Sequence, residues 1–247
     1  MAWSGHAGFR MSVEINYISN HGNNLFQYVC GRLFADRLGV ELTTAFNRPE
    51  LVMMSPHRPG RVIRRPATIL TDRHPVLSRR WPQGHYVLQG YFQRSEWYHQ
   101  CRDAIREFAS VREVPQRSSS DIVINLRLGE DYRKLNWCIH PRWYLRILEQ
   151  ERFERLHMVT DNPDPEYLSW FARYDPIVVS SGPVGDWDYL RSFDRIVCSN
   201  SSFCWWAAFF SKASRIYTFK RWIPAWNVQM GKFPNGVEVD GPFLCET

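Results

Sequence analysis

The chain has 247 residues, 44% hydrophobic and 23% charged, with a formal charge of +6. That length is enough for one large domain or two small ones, and the sequence has no repeats and no long low-complexity segment. The positive balance is carried by 27 Arg against 4 Lys; guanidinium forks suit phosphate and carboxylate partners, although a genome-wide codon bias gives the same ratio.

The arginines are scattered, apart from pairs such as Arg64–Arg65 and Arg79–Arg80. No zinc-finger spacing, aromatic RNP stretch or basic zipper accompanies them, so no nucleic-acid partner is expected. The 11 Trp, 11 Tyr and 15 Phe suit sugar and base faces as well as packing. Six cysteines without a C-x-x-C pair read as reduced thiols in a reducing compartment. The greasiest run, Phe203–Phe210, falls far short of the ~20 residues of a spanning helix. Met1–Arg10 contains no apolar run resembling a signal peptide. These features predict a soluble, cytoplasmic protein without a membrane span.

In chain order, Met11–Ser19 alternates weakly as a first strand and ends in the turn composition Asn20-His21-Gly22-Asn23-Asn24. Leu25, Phe26, Val29, Leu33 and Phe34 recur at helical spacing, with Gly39 as a stop. Arg48–Gly84 is rich in Pro, Arg and His and reads as loops and short elements. A helix is expected over Ser95–Val111 and a linker over Gln116–Ser120. Strands then alternate with helices. Strands are predicted over Asp121–Leu128, Leu156–Thr160, Ile177–Ser180, Ile196–Cys198 and, last, Ile216–Phe219. The helices between them are Pro141–Gln150, Pro165–Arg173, Asp186–Phe193 and Phe203–Ala213. Such alternation predicts an α/β fold with a parallel, doubly wound sheet. Two Rossmann-type halves across a cleft are expected, residues 1–120 and 121–247.

Three constellations carry chemistry. After the strand to Ser199, Asn200-Ser201-Ser202 turns into a helix at Phe203; free backbone N–H groups and the dipole there suit a phosphate. The competing reading is that Ser202 caps the helix. In Asn125-Leu126-Arg127-Leu128-Gly129-Glu130-Asp131-Tyr132 an arginine ends a buried strand beside two carboxylates. Arg127 would fork onto a pyrophosphate, and Glu130 or Asp131 would take a proton from an acceptor hydroxyl. The alternative is a solvated turn with a surface ion pair. Finally, Asp186-Trp187-Asp188 is an Asp-x-Asp, a metal pattern elsewhere, but it opens a helix, where Asp is favoured anyway.

Together these segments resemble glycosyltransferase family 11, the α-1,2-fucosyltransferases, and more distantly the α-1,6- and protein O-fucosyltransferases. The resemblance covers Met11 to Phe219 in five ordered stretches: Asn20–Tyr28, Gly90–Tyr98, Asn125–Tyr132, Val159–Asn162 and Cys198–Ala207. The last, with its paired Trp, is the most specific. The resemblance implies a GT-B-like fold, its first half reduced, and an inverting transfer without metal or cofactor. The implied donor is GDP-fucose and the acceptor a hydroxyl, galactose O2, of a glycan or glycolipid. It further implies that Arg127 holds the pyrophosphate, that Ser201 and Ser202, with Phe203 beside them, meet the β-phosphate, and that Asp186 faces guanine. Gly22 and Asn23 would approach the donor from the first half, and Asp131 or Glu130 would be the base. The chain departs from the family where Asn125 replaces a histidine that helps bind guanine and Leu128 replaces a second arginine. It also carries one extra residue between Gly129 and Tyr132. These departures admit another nucleotide-sugar donor, as in a rhamnosyltransferase, or a catalytically silent sugar-binding relative.

Overall fold

The computed structural model describes residues 11–19, 21–44, 66–109, 111–220 and 233–246. Two compact units divide the chain, Met1–Phe92 and Gln93–Thr247.

The first unit contains β1 (Ser12–Ile15), α1 (His21–Leu38), β2 (Glu41–Thr44), β3 (Thr68–Leu70) and β4 (His85–Leu88). Its four described strands are parallel in the order β2-β1-β4-β3. Helix α1 buries Leu25, Phe26, Val29 and Phe34, the positions that the helical spacing predicts. It ends where Gly39 takes φ +67. The Gly39 N–H bonds to Asp36 O and the Val40 N–H to Ala35 O, which closes the last turn and satisfies its carbonyls.

The start of α1 corrects one expectation. His21 to Asn24 form its first turn, not a loop ahead of it. The polar side chains there tie the helix to the chain that enters it. The buried Asn24 amide donates to Ile18 O at 3.1 Å, and the Asn23 amide to Ser19 Oγ at 2.8 Å. Strands β2 and β4 have no counterpart among the expected elements, and β3 falls within the stretch expected as loops and short elements. Part of the expected loop region, residues 48–65, lies outside the described residues, as do Arg64 and Arg65.

The second unit begins with α2 (Ser95–Gln100) and α3 (Arg102–Ala109), two helices where one was expected, broken at Cys101. It continues with β5 (Ile122–Leu126), α4 (Glu130–Lys134), α5 (Pro141–Leu148), β6 (Leu156–Thr160) and α6 (Pro165–Ser169). Then come β7 (Ile177–Val179), α7 (Pro183–Arg191), β8 (Arg195–Cys198), α8 (Ser202–Phe210), β9 (Arg215–Phe219) and β10 (Gly236–Val239). Six parallel strands run β10-β9-β8-β5-β6-β7. Strands β5 and β6 are buried at every residue, as central strands covered on both faces should be. The order changes direction between β5 and β8, which makes that point the switch of a doubly wound sheet.

The α/β class with parallel sheets therefore holds for both units, with four described strands in the first and six in the second. The sequence placed the division at residue 120, whereas the compact units part at Phe92. Helices α2 and α3 belong to the second unit because they pack on α8. The Tyr98 ring lies 5.5 Å from Trp206, and Arg102 Nη2 donates to Phe209 O at 2.8 Å. Strand β9 is also not the last: β10 pairs with it in parallel. Among the described residues, no helix is long and apolar enough to cross a membrane.

Candidate functional site

The carboxyl edge of the second sheet gathers the connections that follow β5, β6 and β8. Arg127 stands one residue past β5, and the short loop Arg127–Gly129 leads into α4. Asp161, the first residue after β6, organises this loop. Its Oδ1 accepts from the Leu128 N–H at 2.8 Å and the Gly129 N–H at 3.2 Å, while its Oδ2 pairs with Arg127 Nη1 at 2.5 Å. A Cβ on Gly129 would come within 2.5 Å of that same carboxylate oxygen, so any side chain there would displace it. From the other side Arg133 Nε donates to Leu128 O at 2.9 Å and Arg133 Nη2 pairs with Asp164. The backbone N–H of Tyr167 and Arg133 together hold the Asp164 carboxyl below its ordinary range.

The connection after β8 is fastened to the same place. Ser199 Oγ donates to Asn125 Oδ1 at 2.6 Å, and Asn125 Nδ2 donates to Val159 O at 3.3 Å. One buried amide thus ties β5 to β6 and to the end of β8. The Tyr132 hydroxyl donates to Asn200 O at 3.0 Å, and Asn200 Nδ2 donates to Trp137 O at 2.8 Å. Burial pushes the Tyr132 phenol up to about 12, so it remains a donor throughout the physiological range. The Arg127 guanidinium lies 5.1 Å from the Tyr132 ring centroid, within cation–π range.

Held in this way, the turn delivers α8 with its N-terminus open. Ser201 is the N-cap residue, not Ser202, and its side chain makes no capping bond. The first intrahelical bond runs from the Trp205 N–H to Ser201 O, so the N–H groups ahead of it have no partner within the helix. Neither the Ser201 nor the Ser202 hydroxyl has a side-chain hydrogen bond among the described residues. Phe203 is half-buried beside them. An arginine fork and a helix N-terminus with two hydroxyls on one edge can bind a polyanion. The fixed dipoles would favour growth of negative charge there.

The remaining predicted residues are distributed as follows. Glu130 and Asp131 form the first turn of α4, both exposed. Glu130 pairs with Lys134 at 2.6 Å; the Asp131 carboxylate has no such partner among the described residues. Asp186 is the fourth residue of α7, which starts at Pro183 and not at Asp186. Its Oδ1 accepts from the Ser181 N–H at 2.7 Å and the Ser181 hydroxyl at 2.8 Å, a reach back over the helix start that Gly182 permits at φ +87. Asp188 turns elsewhere, to Arg191 and Arg112, so the two carboxylates of Asp-x-Asp serve different partners. Strand β7 lies two strands from β5, about 10 Å away across the sheet, and Asp186 stands in the connection that follows it. Gly22 and Asn23 lie in the first turn of α1 in the first unit.

Sequence reasoning missed Asp161 and Tyr132 as site residues. The signal for Asp161 was present: a carboxylate one residue past a buried strand, on the edge where ligands of such sheets bind. A concavity of about 480 Å³ lies at the opposite, amino edge, lined in part by Glu151, Arg152, Arg195 and Arg215. There Glu151 accepts from Arg215 at 2.9 Å and from Tyr217. That edge receives the helix C-termini, whose dipoles disfavour anions.

No family model and no curated protein matches this sequence. Among solved structures, the chain is similar to the E. coli heptosyltransferase WaaC with ADP, at a TM-score of 0.48 and 10% identity, over 94% of each chain.

Proposed function

We propose that this chain is an inverting glycosyltransferase that moves a sugar from a nucleoside diphosphate to a hydroxyl of a glycan or glycolipid acceptor, with GDP-fucose as the donor. The observation that supports it is that Arg127 and the open N-terminus of α8 follow neighbouring strands at one sheet edge, whose connections are tied by the Asn125–Ser199 and Tyr132–Asn200 bonds. A diphosphate would lie between the fork and the Ser201 and Ser202 hydroxyls. The nucleoside would run along the edge toward Asp186, whose carboxylate already accepts two hydrogen bonds from Ser181 and would offer its second oxygen to guanine.

In this reading no metal or cofactor is needed, because Arg127 and the helix dipole take up the charge that grows on the departing nucleotide. GDP is therefore expected to bind in the presence of chelator. A ligand at about a hundred times its dissociation constant should stabilise the protein by ~2.7 kcal/mol. Thermal-shift titration with GDP, UDP, dTDP and their sugars tests this. Binding that appears only with Mn²⁺ or Mg²⁺ would sink it.

For the base we favour Asp131, which keeps the Asp-Tyr pairing of the resembling family, while Glu130 pairs with Lys134. Asp131→Asn should keep donor affinity and lower kcat by ~10²-fold or more. Normal turnover in Asp131→Asn with loss in Glu130→Gln would move the role back one residue.

A second reading, with another donor such as a nucleotide-linked rhamnose, draws on two observations. Leu128, at the position of the family's second arginine, is buried in the core and contributes no cation. Asn125 spends its amide on Val159 and Ser199. The same donor titration separates the two readings by which nucleoside binds.

A further inference from the structure

We propose that Asp161 is a positioning residue that sets Arg127 for diphosphate binding; this rests on the nucleotide-sugar reading and adds to it a residue outside the resembling motif's arginine and serines. Two restraints fix the Arg127 guanidinium. Asp161 Oδ2 holds Nη1 at 2.5 Å, and the Tyr132 ring lies 5.1 Å beneath Cζ. A guanidinium has five N–H donors in a rigid fork, so one ion pair on Nη1 leaves other donors of the fork for phosphate oxygens. Without such restraints a long side chain loses rotamer entropy each time it binds.

Asp161 can carry this load because its own carboxylate is anchored. Oδ1 is held by two backbone N–H groups, those of Leu128 and Gly129, and the absent Cβ at Gly129 makes room for the second oxygen. The chain of contacts then runs on from Arg127 to Tyr132 and from the Tyr132 hydroxyl to Asn200 O, one residue before Ser201. Asp161 thus fixes the arginine relative to the N-terminus of α8 through groups that follow three neighbouring strands, β6, β5 and β8. A competing account is that Asp161 only folds the loop, by its bonds to the two amides. The two accounts differ in whether the charge matters.

Asp161→Asn separates them. Its amide oxygen can still accept from Leu128 and Gly129, while the ion pair to Arg127 is lost. With inorganic pyrophosphate and GDP as probes in calorimetry on the whole chain, Asp161→Asn should bind both at least ~10-fold more weakly. Its melting temperature should stay within a few degrees of the parent, as expected for a partly exposed pair. In an Arg127→Ala background the same change should have no further effect on affinity, because a positioning residue acts only through its partner. Unchanged or tighter binding by Asp161→Asn would overturn the proposal. An equal loss with and without Arg127 would do the same and assign Asp161 to the loop alone. Parent protein that binds pyrophosphate but none of the nucleotides would defeat the nucleotide-sugar reading and still leave the Asp161 comparison readable.

Discussion

Arg127→Ala is expected to lower turnover by about 10²–10³-fold, the usual loss when one preorganised donor to a developing anion is removed. The side chain is 31% exposed and its partner Asp161 26%, so the ion pair itself contributes only about 0–1 kcal/mol to folding. Asp161 also keeps its two backbone donors after the change. The variant should therefore remain folded, with a near-parental melting temperature, and the loss should appear in kcat as well as in donor affinity. Arg127→Lys should recover charge but not the fork, and rank between the two. A folded Arg127→Ala enzyme with near-normal turnover would remove the arginine from the mechanism.

The largest effect on stability is expected at Trp206. Its side chain is fully buried in α8, stacked on Phe210 at 5.6 Å and edge-on to Trp205 at 4.9 Å. Tyr98 approaches it at 5.5 Å from α2, so the indole joins that helix to α8. Truncating a buried Trp to Ala typically costs about 3–5 kcal/mol, a large share of the ~5–15 kcal/mol that holds a domain together. Denaturant titration should show a midpoint lowered accordingly. A loss under ~1 kcal/mol would mean that α8 is anchored by something other than its paired tryptophans. Since α8 carries Ser201 and Ser202 at its start, Trp206→Ala should weaken nucleotide binding as well, through the helix and not by contact.

These aromatics belong to a wider pattern of buried rings. Eleven Trp suit packing as well as sugar faces, and Trp143, Trp187, Trp205 and Trp206 are all at most 1% exposed. In this chain much of the aromatic surplus is spent on the interior, as the size of the rings favours.

The alternation of strands and helices after residue 120 was legible because each element carries its own period: β5, β6, β8 and β9 are short apolar runs, and α5 has a regular apolar face. Both halves of the candidate site were legible for the same local reason. Arg127 follows a buried strand and Ser201–Ser202 precede a helix, and a parallel sheet must put both on its carboxyl edge. What the tertiary structure decided depends on contacts between distant residues. That α2 and α3 belong to the second unit follows from Tyr98 meeting Trp206, which no window around Ser95 contains. The cap at Ser201 instead of Ser202, and the start of α7 at Pro183, turn on where single hydrogen bonds close. Asp161 stands 33 residues from the amide of Leu128 that it binds. Its role exists only because the register of β5 with β6 sets Leu126 beside Thr160, so that the residues just past the two strand ends meet.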